Sequence, residues 1–267
     1  MPSLPSWSRA TDYLNQKTKI NPDALLEIGY SLSETANNTT TYLSKIVNEN
    51  NVELLNLPSS RKLVINSIDG LADKLMADLP IDYSKSKTNI YNLPSLYFEK
   101  SYDSQVSRIK LENGAEKYFT SANTLENKLK IYNADHTLWK SINLSFFSAM
   151  FNPDMEINFL SETKINPDAL LEFSYTYSTG ALGLGSEYSS RVINENGDIL
   201  LNDNTFSSLQ LNEISGLPTK IIGFTSYPIG RFVFSVGNLS TSDFNKNSKV
   251  LIAPNPAKSS ININSLS

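Results

Sequence analysis

Thr18-Lys-Ile-Asn-Pro-Asp-Ala-Leu-Leu-Glu27 occurs a second time, letter for letter, from Thr163 to Glu172. Those ten residues decide the fold, because they turn one chain into two copies of one unit. Outward from them, Tyr30 matches Tyr175, and Tyr42-Leu-Ser-Lys-Ile-Val-Asn-Glu-Asn50 lines up with Tyr188-Ser-Ser-Arg-Val-Ile-Asn-Glu-Asn196. Leu54-Leu-Asn56 pairs with Leu200-Leu-Asn202, and Leu63, Asn66, Ile68, Gly70 and Leu71 pair with Leu209, Asn212, Ile214, Gly216 and Leu217. The spacing slips by one residue between Tyr30 and Tyr42, inside a loop, and the rest is in register. So long a period exceeds any single supersecondary unit, so a shorter repeat must be nested inside it.

The nested unit is a run of short strands. From Lys117 to Leu144 the pattern reads Lys-Tyr-Phe-Thr, a polar turn, Lys128-Leu-Lys-Ile-Tyr132, the turn Asn133-Ala-Asp-His136, then Thr137 to Leu144. Alternation at period two, broken by polar turns, predicts three strands. Asn194-Glu-Asn-Gly197 predicts a tight hairpin, since Asn-Gly tolerates positive φ, and Asn50-Asn51 fills the same place in the first copy. Leu71 to Leu79 fits a helical turn by periodicity alone. Its aligned copy, Leu217-Pro-Thr-Lys-Ile-Ile-Gly-Phe224, reads as a strand, so a strand is expected in both.

Taken in order, five segments cover residues 10–56, 57–100, 101–148, 155–203 and 204–241. Their kinds run first, second, third, first, second. Four short strands in a repeat near forty residues match a β-propeller blade. The expected fold is all-β, a five-bladed β-propeller-like repeat. Two packed β-sandwich domains, or an open β-repeat fragment, are the alternatives. Residues 1–9 match no blade strand.

Composition limits the function classes. Thirteen Tyr and twelve Phe, with many Asn, Ser and Thr, suit strands joined by polar turns. A net charge of −4 with mixed signs argues against nucleic-acid binding. No apolar run reaches the length of a membrane span, and with no cysteine there is neither a disulfide nor thiolate chemistry. Met1-Pro-Ser-Leu-Pro-Ser-Trp-Ser8 lacks the basic and apolar regions of a signal peptide.

After residues 242–248, read as a linker, the chain ends in Lys249-Val-Leu-Ile-Ala-Pro-Asn-Pro-Ala-Lys-Ser-Ser-Ile-Asn-Ile263. Pro254-Asn255-Pro256 followed by a short apolar strand resembles the opening of the C-terminal sorting domain of the Bacteroidota type IX secretion system. Lys130 to Ile142 also looks like the repeats that precede such domains in surface proteins. The resemblance implies a secreted or surface-held protein, with the secretion machinery as a partner through the tail. Residues 249–267 would be the truncated start of that domain.

Motifs for catalysis are sparse. His136 beside Asp135 suggests a base and its orienter, but a solvent-exposed turn histidine is the simpler reading. One histidine and no cysteine leave no zinc set, and no loop carries the alternating Asp of a calcium site, so neither metal nor cofactor is expected. Gly180-Ala-Leu-Gly-Leu-Gly185 lacks the Lys and helix of a phosphate loop. Two carboxylates suffice for a glycosidase, and Asp12, Asp154 and Glu156 near the starts of the first-kind segments are the catalytic candidates. Solvated loop carboxylates remain the favoured account of all three. Asp23, Asp168, Glu27 and Glu172 recur because Asn-Pro-Asp makes a turn before a strand. Tyr91, Tyr97, Tyr175 and Tyr177 suit stacking on sugar rings, although most sheet tyrosines pack. The expected function is therefore a binding module for an extracellular glycan or surface protein. A propeller-type glycoside hydrolase and a purely structural module are the rivals.

Overall fold

The computed structural model describes residues 9–13, 20, 23, 25–37, 39–81, 86–122, 128–144, 155–166, 168, 170–178, 188–225, 229–236 and 250–252. Among them, twenty strands form five four-stranded sheets, each from four strands consecutive in the chain. The first sheet holds β1 (Arg9–Tyr13), β2 (Glu27–Ala36), β3 (Thr39–Asn48) and β4 (Glu53–Pro58). The second holds β5 (Lys62–Asn66), β6 (Lys74–Pro80), β7 (Ser86–Asn92) and β8 (Tyr97–Tyr102). β9 (Gln105–Lys110), β10 (Glu116–Ala122), β11 (Lys128–Asn133) and β12 (Leu138–Asn143) make the third. The fourth is β13 (Met155–Ser161), β14 (Glu172–Ser178), β15 (Tyr188–Asn194) and β16 (Ile199–Asp203). β17 (Phe206–Asn212), β18 (Lys220–Thr225), β19 (Gly230–Ser235) and β20 (Val250–Ile252) make the fifth.

Each sheet is a meander of neighbouring antiparallel strands. That is the plan of a propeller blade, and the protein is an all-β, propeller-like repeat. The stretch from Leu71 to Leu79 contributes β6, a strand, as its aligned copy contributes β18. No helix among the described residues is long and apolar enough to cross a membrane.

The fifth sheet corrects the reading of the tail. Val250, Leu251 and Ile252 pair with Val233, Phe232 and Arg231, so β20 is its fourth strand. Residues assigned above to the start of a sorting domain thus belong to a blade that runs past residue 241. A blade of this plan needs a fourth strand to cover the edge of the third, and a Val-Leu-Ile run is suited to it. Pro254, Asn255 and Pro256 lie outside the described residues.

Four hairpin turns share one construction. Asn51, Gly114, His136 and Gly197 each donate an N–H to the carbonyl three residues back, and each has φ between 59° and 90°. At Asn48 and Asn194 the side-chain oxygen also accepts two backbone N–H groups, closing the turn from inside. A left-handed position favours Gly or Asn, so the sequence reads as a turn at once where it carries them.

The chain forms two compact units, residues 1–108 and 109–267. In the first, Ile20, Ile46, Leu63, Ile65, Leu75 and Tyr91 fill a core between the first and second sheets. In the second unit, Phe119, Leu129, Ile131, Leu160, Phe173 and Tyr175 fill the space between the third and fourth sheets. A further cluster with Phe159, Val192, Phe206, Leu209 and Ile221 lies between the fourth and fifth. The fourth sheet is thus apolar on both faces. Bulges near Ile157 and Ile193 help send neighbouring residues to opposite cores.

The same polar tie crosses between sheets in both copies. Ser44 donates its hydroxyl to the Ser60 carbonyl at 2.9 Å, so Ser31, 2.8 Å away, donates to Ser44. In the second copy Ser190 donates to the Phe206 carbonyl at 2.9 Å and receives from Thr176 at 2.6 Å. A buried hydroxyl has one proton and two lone pairs, and this relay satisfies them in sequence.

Candidate binding cleft

An open cleft of about 570 Å³ lies in the second unit, lined by Lys140, Ser141, Ile142 and Asn143 on one side and Glu195, Asn196 and Gly197 on the other. The first four belong to β12, the outer strand of the third sheet, which pairs with β11 alone among the described residues. The other three form the β15–β16 turn. That turn is held rigid by Asn194, whose amide also donates to Asp198 at 2.8 Å. Lys140 reaches across and ion-pairs with Glu195. The two walls are therefore tied at one point while Asn143 and Asn196 keep amide donors and acceptors at the lining.

Trp139 flanks the cleft wall. Lys117 Nζ lies 4.2 Å from its ring centre and Lys140 Nζ 4.9 Å, two cation–π contacts on one half-buried indole. It packs against the core between the third and fourth sheets. Chemically the cleft offers an ammonium, a carboxylate, two amides and a hydroxyl around one apolar residue. It suits a hydrophilic ligand held by several hydrogen bonds.

Two of the three catalytic candidates fall at one repeated blade position. Asp12 pairs across β1 and β2 with Ser31, and Glu156 pairs across β13 and β14 with Thr176. Ser31 and Thr176 are equivalent in the two copies, so Asp12 and Glu156 hold the same blade position, one in each compact unit. Architecture explains their repetition. Glu156 is solvent-exposed, and Asp154 lies outside the described residues.

His136 is not the solvated turn residue expected. It takes the left-handed position of the β11–β12 turn at φ 65°, half-buried, with its ring 5.0 Å from that of Tyr118. Asp135 does not orient it as a base, because its carboxylate accepts the Thr137 N–H at 3.0 Å and the Thr137 hydroxyl at 2.6 Å. The Thr137 hydroxyl bond holds Asp135 below the usual carboxylate range. The glycine-rich stretch 180–185 lies outside the described residues. Of the tyrosines considered for stacking, Tyr91 and Tyr175 are buried, Tyr177 is half-buried and Tyr97 is 65% exposed, beside the half-exposed Phe98.

Glu172 is the carboxyl whose chemistry its sequence context did not announce. It is wholly buried, and neither oxygen meets a hydrogen-bond donor. Burial, with Asp168 facing it and Glu112 further out, pushes it up to about 8. Being sealed from solvent, it cannot touch a substrate. Asp168 itself caps the shared loop by accepting the Leu170 N–H at 2.8 Å, as Asp23 accepts that of Leu25 at 2.9 Å. No group of three or more potential metal ligands clusters among the described residues.

No known protein-family model matches the chain, and no curated protein matches it. Among solved structures it is similar to the β-propeller domain of the Trilobed protease from Pyrococcus furiosus, described as having an open velcro topology. The TM-score is 0.41 and the identity 11%, over 78% of this chain and 66% of that one, so the chain spans just under two thirds of its length.

Proposed function

We propose that this chain is an extracellular binding module whose cleft between β12 and the β15–β16 turn takes a glycan. The observation that carries this reading is the cleft itself, with Lys140, Asn143, Glu195 and Asn196 converging on one open space. A sugar presents many hydroxyl groups, each able to donate and accept. Amides and an ion pair on a rigid turn match that chemistry better than they match an apolar molecule, which would leave them desolvated and unpaired. Loops and strand edges fixed by a β-scaffold are the usual place for recognition. Export by the type IX machinery belongs to the same reading and rests on the resemblance of the tail around Pro254, Asn255 and Pro256.

A glycan array probed with the purified chain, followed by calorimetric titration of the hits, tests the proposal. The double variant Asn143→Ala, Asn196→Ala should weaken binding by about tenfold or more, since each lost hydrogen bond is worth about 1 kcal/mol. A blank array, or a double variant that binds as the parent does, overturns it.

A further inference from the structure

Beyond Lys140, the same face of the third sheet carries a second ammonium group. Phe119 and Ile131 are register partners on the face turned to the fourth sheet, and Ile131 pairs in turn with Lys140. Lys117, two residues before Phe119 on β10, shares that face, because strand side chains alternate. Its Nζ and that of Lys140 both lie against Trp139, 4.2 and 4.9 Å from the ring centre. The two ammonium groups differ in what neutralises them. Lys140 has the Glu195 carboxylate across the cleft. Lys117 is half-buried and reaches only the neutral side-chain oxygen of Asn133, at 2.6 Å, and no carboxylate among the described residues pairs with it. Its neighbour Glu116 lies on the opposite face, where it accepts the Tyr118 hydroxyl at 2.7 Å. Asp135 and Asp198 are taken up within their own turns, by Thr137 and by the Asn194 amide. One positive charge is therefore left unmatched beside Trp139, and a cation–π contact only partly replaces the water that a half-buried ammonium gives up.

We infer that the glycan taken by this cleft is an acidic one, whose carboxylate or sulfate seats at Lys117 beside Trp139. The inference rests on the glycan reading of the cleft and names the class of sugar. An anion at that point completes the ammonium with a charge-assisted hydrogen bond, while the sugar hydroxyl groups are left for Asn143 and Asn196. A neutral sugar adds no counter-charge there, and an amino sugar brings a like one. Glu195 does not oppose the anion, because its own charge is matched by Lys140. It does set the direction of binding. An acid placed at the β15–β16 turn would face that carboxylate, whereas one placed at Trp139 faces the two ammonium groups.

A glycan array that carries uronate, sialylated and sulfated glycans beside neutral ones separates the two claims. Acidic hits are expected. Neutral hits alone would keep the cleft a sugar site and overturn the acidic assignment, and a blank array would remove both. The strongest acidic hit is then titrated calorimetrically against the same glycan with its carboxylate reduced or its sulfate removed, and the neutral form should bind about tenfold or more weakly, as loss of a charge-assisted hydrogen bond predicts. Lys117→Met keeps the stem on the Trp139 ring and should weaken the acidic form by about tenfold, removing most of the preference for it, while Lys117→Arg should keep that preference. Glu195→Gln takes away the one carboxylate lining the cleft and should strengthen acidic binding by about threefold or more at low salt, a gain that about 0.5 M NaCl largely erases. A gain of affinity comes only from a folded variant, so this arm decides the matter should Lys117→Met fail to fold. Equal affinity for the acidic and neutral forms, or a Glu195→Gln variant that binds the acidic form no better than the parent, overturns the inference.

Discussion

Glu27 and Glu172 end the same ten-residue sequence and live in different chemistry. Glu27 is half-buried, and one of its oxygens accepts the Ile20 N–H at 3.4 Å. Glu172 is wholly buried, faces Asp168, and meets no donor. The local turn is common to both: the Asp caps the loop in the same way, and the Ile anchors it. Burial is not common, since the same residue is half-buried in one copy and wholly buried in the other. Sequence identity therefore transmits the turn and not the environment.

The largest expected break between the copies lies one residue on. Phe173 is fully buried in the core between the third and fourth sheets, and its counterpart Ile28 is 41% exposed. Phe173→Ala should cost about 3–5 kcal/mol, the usual range for emptying an aromatic from a packed core. Ile28→Ala should cost under about 1 kcal/mol, because little apolar area leaves contact. Urea unfolding of the two variants measures both. Equal losses would mean that the first sheet's face is covered in solution.

The second break is in pH dependence. The folded protein holds the Glu172 proton up to about pH 8, whereas the unfolded chain releases it near the ordinary value of 4.5. Stability from this group is therefore full below pH 4.5 and declines as pH rises to about 8, by on the order of 1 kcal/mol per pH unit. Glu172→Gln keeps the shape, removes the titration and should raise stability at pH 8 by about 2 kcal/mol while flattening that window. Glu112, the other carboxylate near Glu172, already accepts the Glu162 N–H at 2.9 Å and lies 3.5 Å from Lys164 Nζ. A slope that survives Glu172→Gln would assign the pH dependence to other groups.

These contrasts mark what was readable from residues alone. The five sheets follow from the repeat, the period-two runs and the Asn-Gly turns, all of which are local. The tail was harder, because Val250 to Ile252 is an apolar triplet whose partner, β19, is distant from the motif that drew attention to it. At His136 the turn was legible but the half-burial was not, because the ring's contact with Tyr118 comes from a different strand and leaves no local signal. Glu172 was legible as a repeated residue and not as a buried one. The cleft was not legible at all, since β12 and the β15–β16 turn are more than fifty residues apart and neither carries a motif.

The smallest expected effect concerns the second and fifth sheets, whose packing differs by an exchange of volume. Gly223 stands opposite Leu209 as Ala77 stands opposite Leu63, and Phe206 holds the position of Ser60. A Cβ on Gly223 would meet the Phe206 ring at 2.9 Å, a distance that forces the ring or the strand to move. In the second sheet, where Ser60 aligns with Phe206, the chain carries a methyl at Ala77; in the fifth, against the Phe206 ring, Gly223 carries none. Gly223→Ala should therefore destabilise by about 1–3 kcal/mol, the range for overpacking. In the Phe206→Ser background the clash is gone, and the same Gly223→Ala should be neutral or favourable, since Ala suits a strand better than Gly. Phe206→Ser will itself cost stability, so the quantity to measure is the coupling in a double-mutant cycle, which isolates the pair from that loss. A coupling near zero would mean that the ring has room to yield and that the Ser60–Ala77 and Phe206–Gly223 pairs are independent choices. A coupling of about 1 kcal/mol or more would make them alternative solutions to one packing problem.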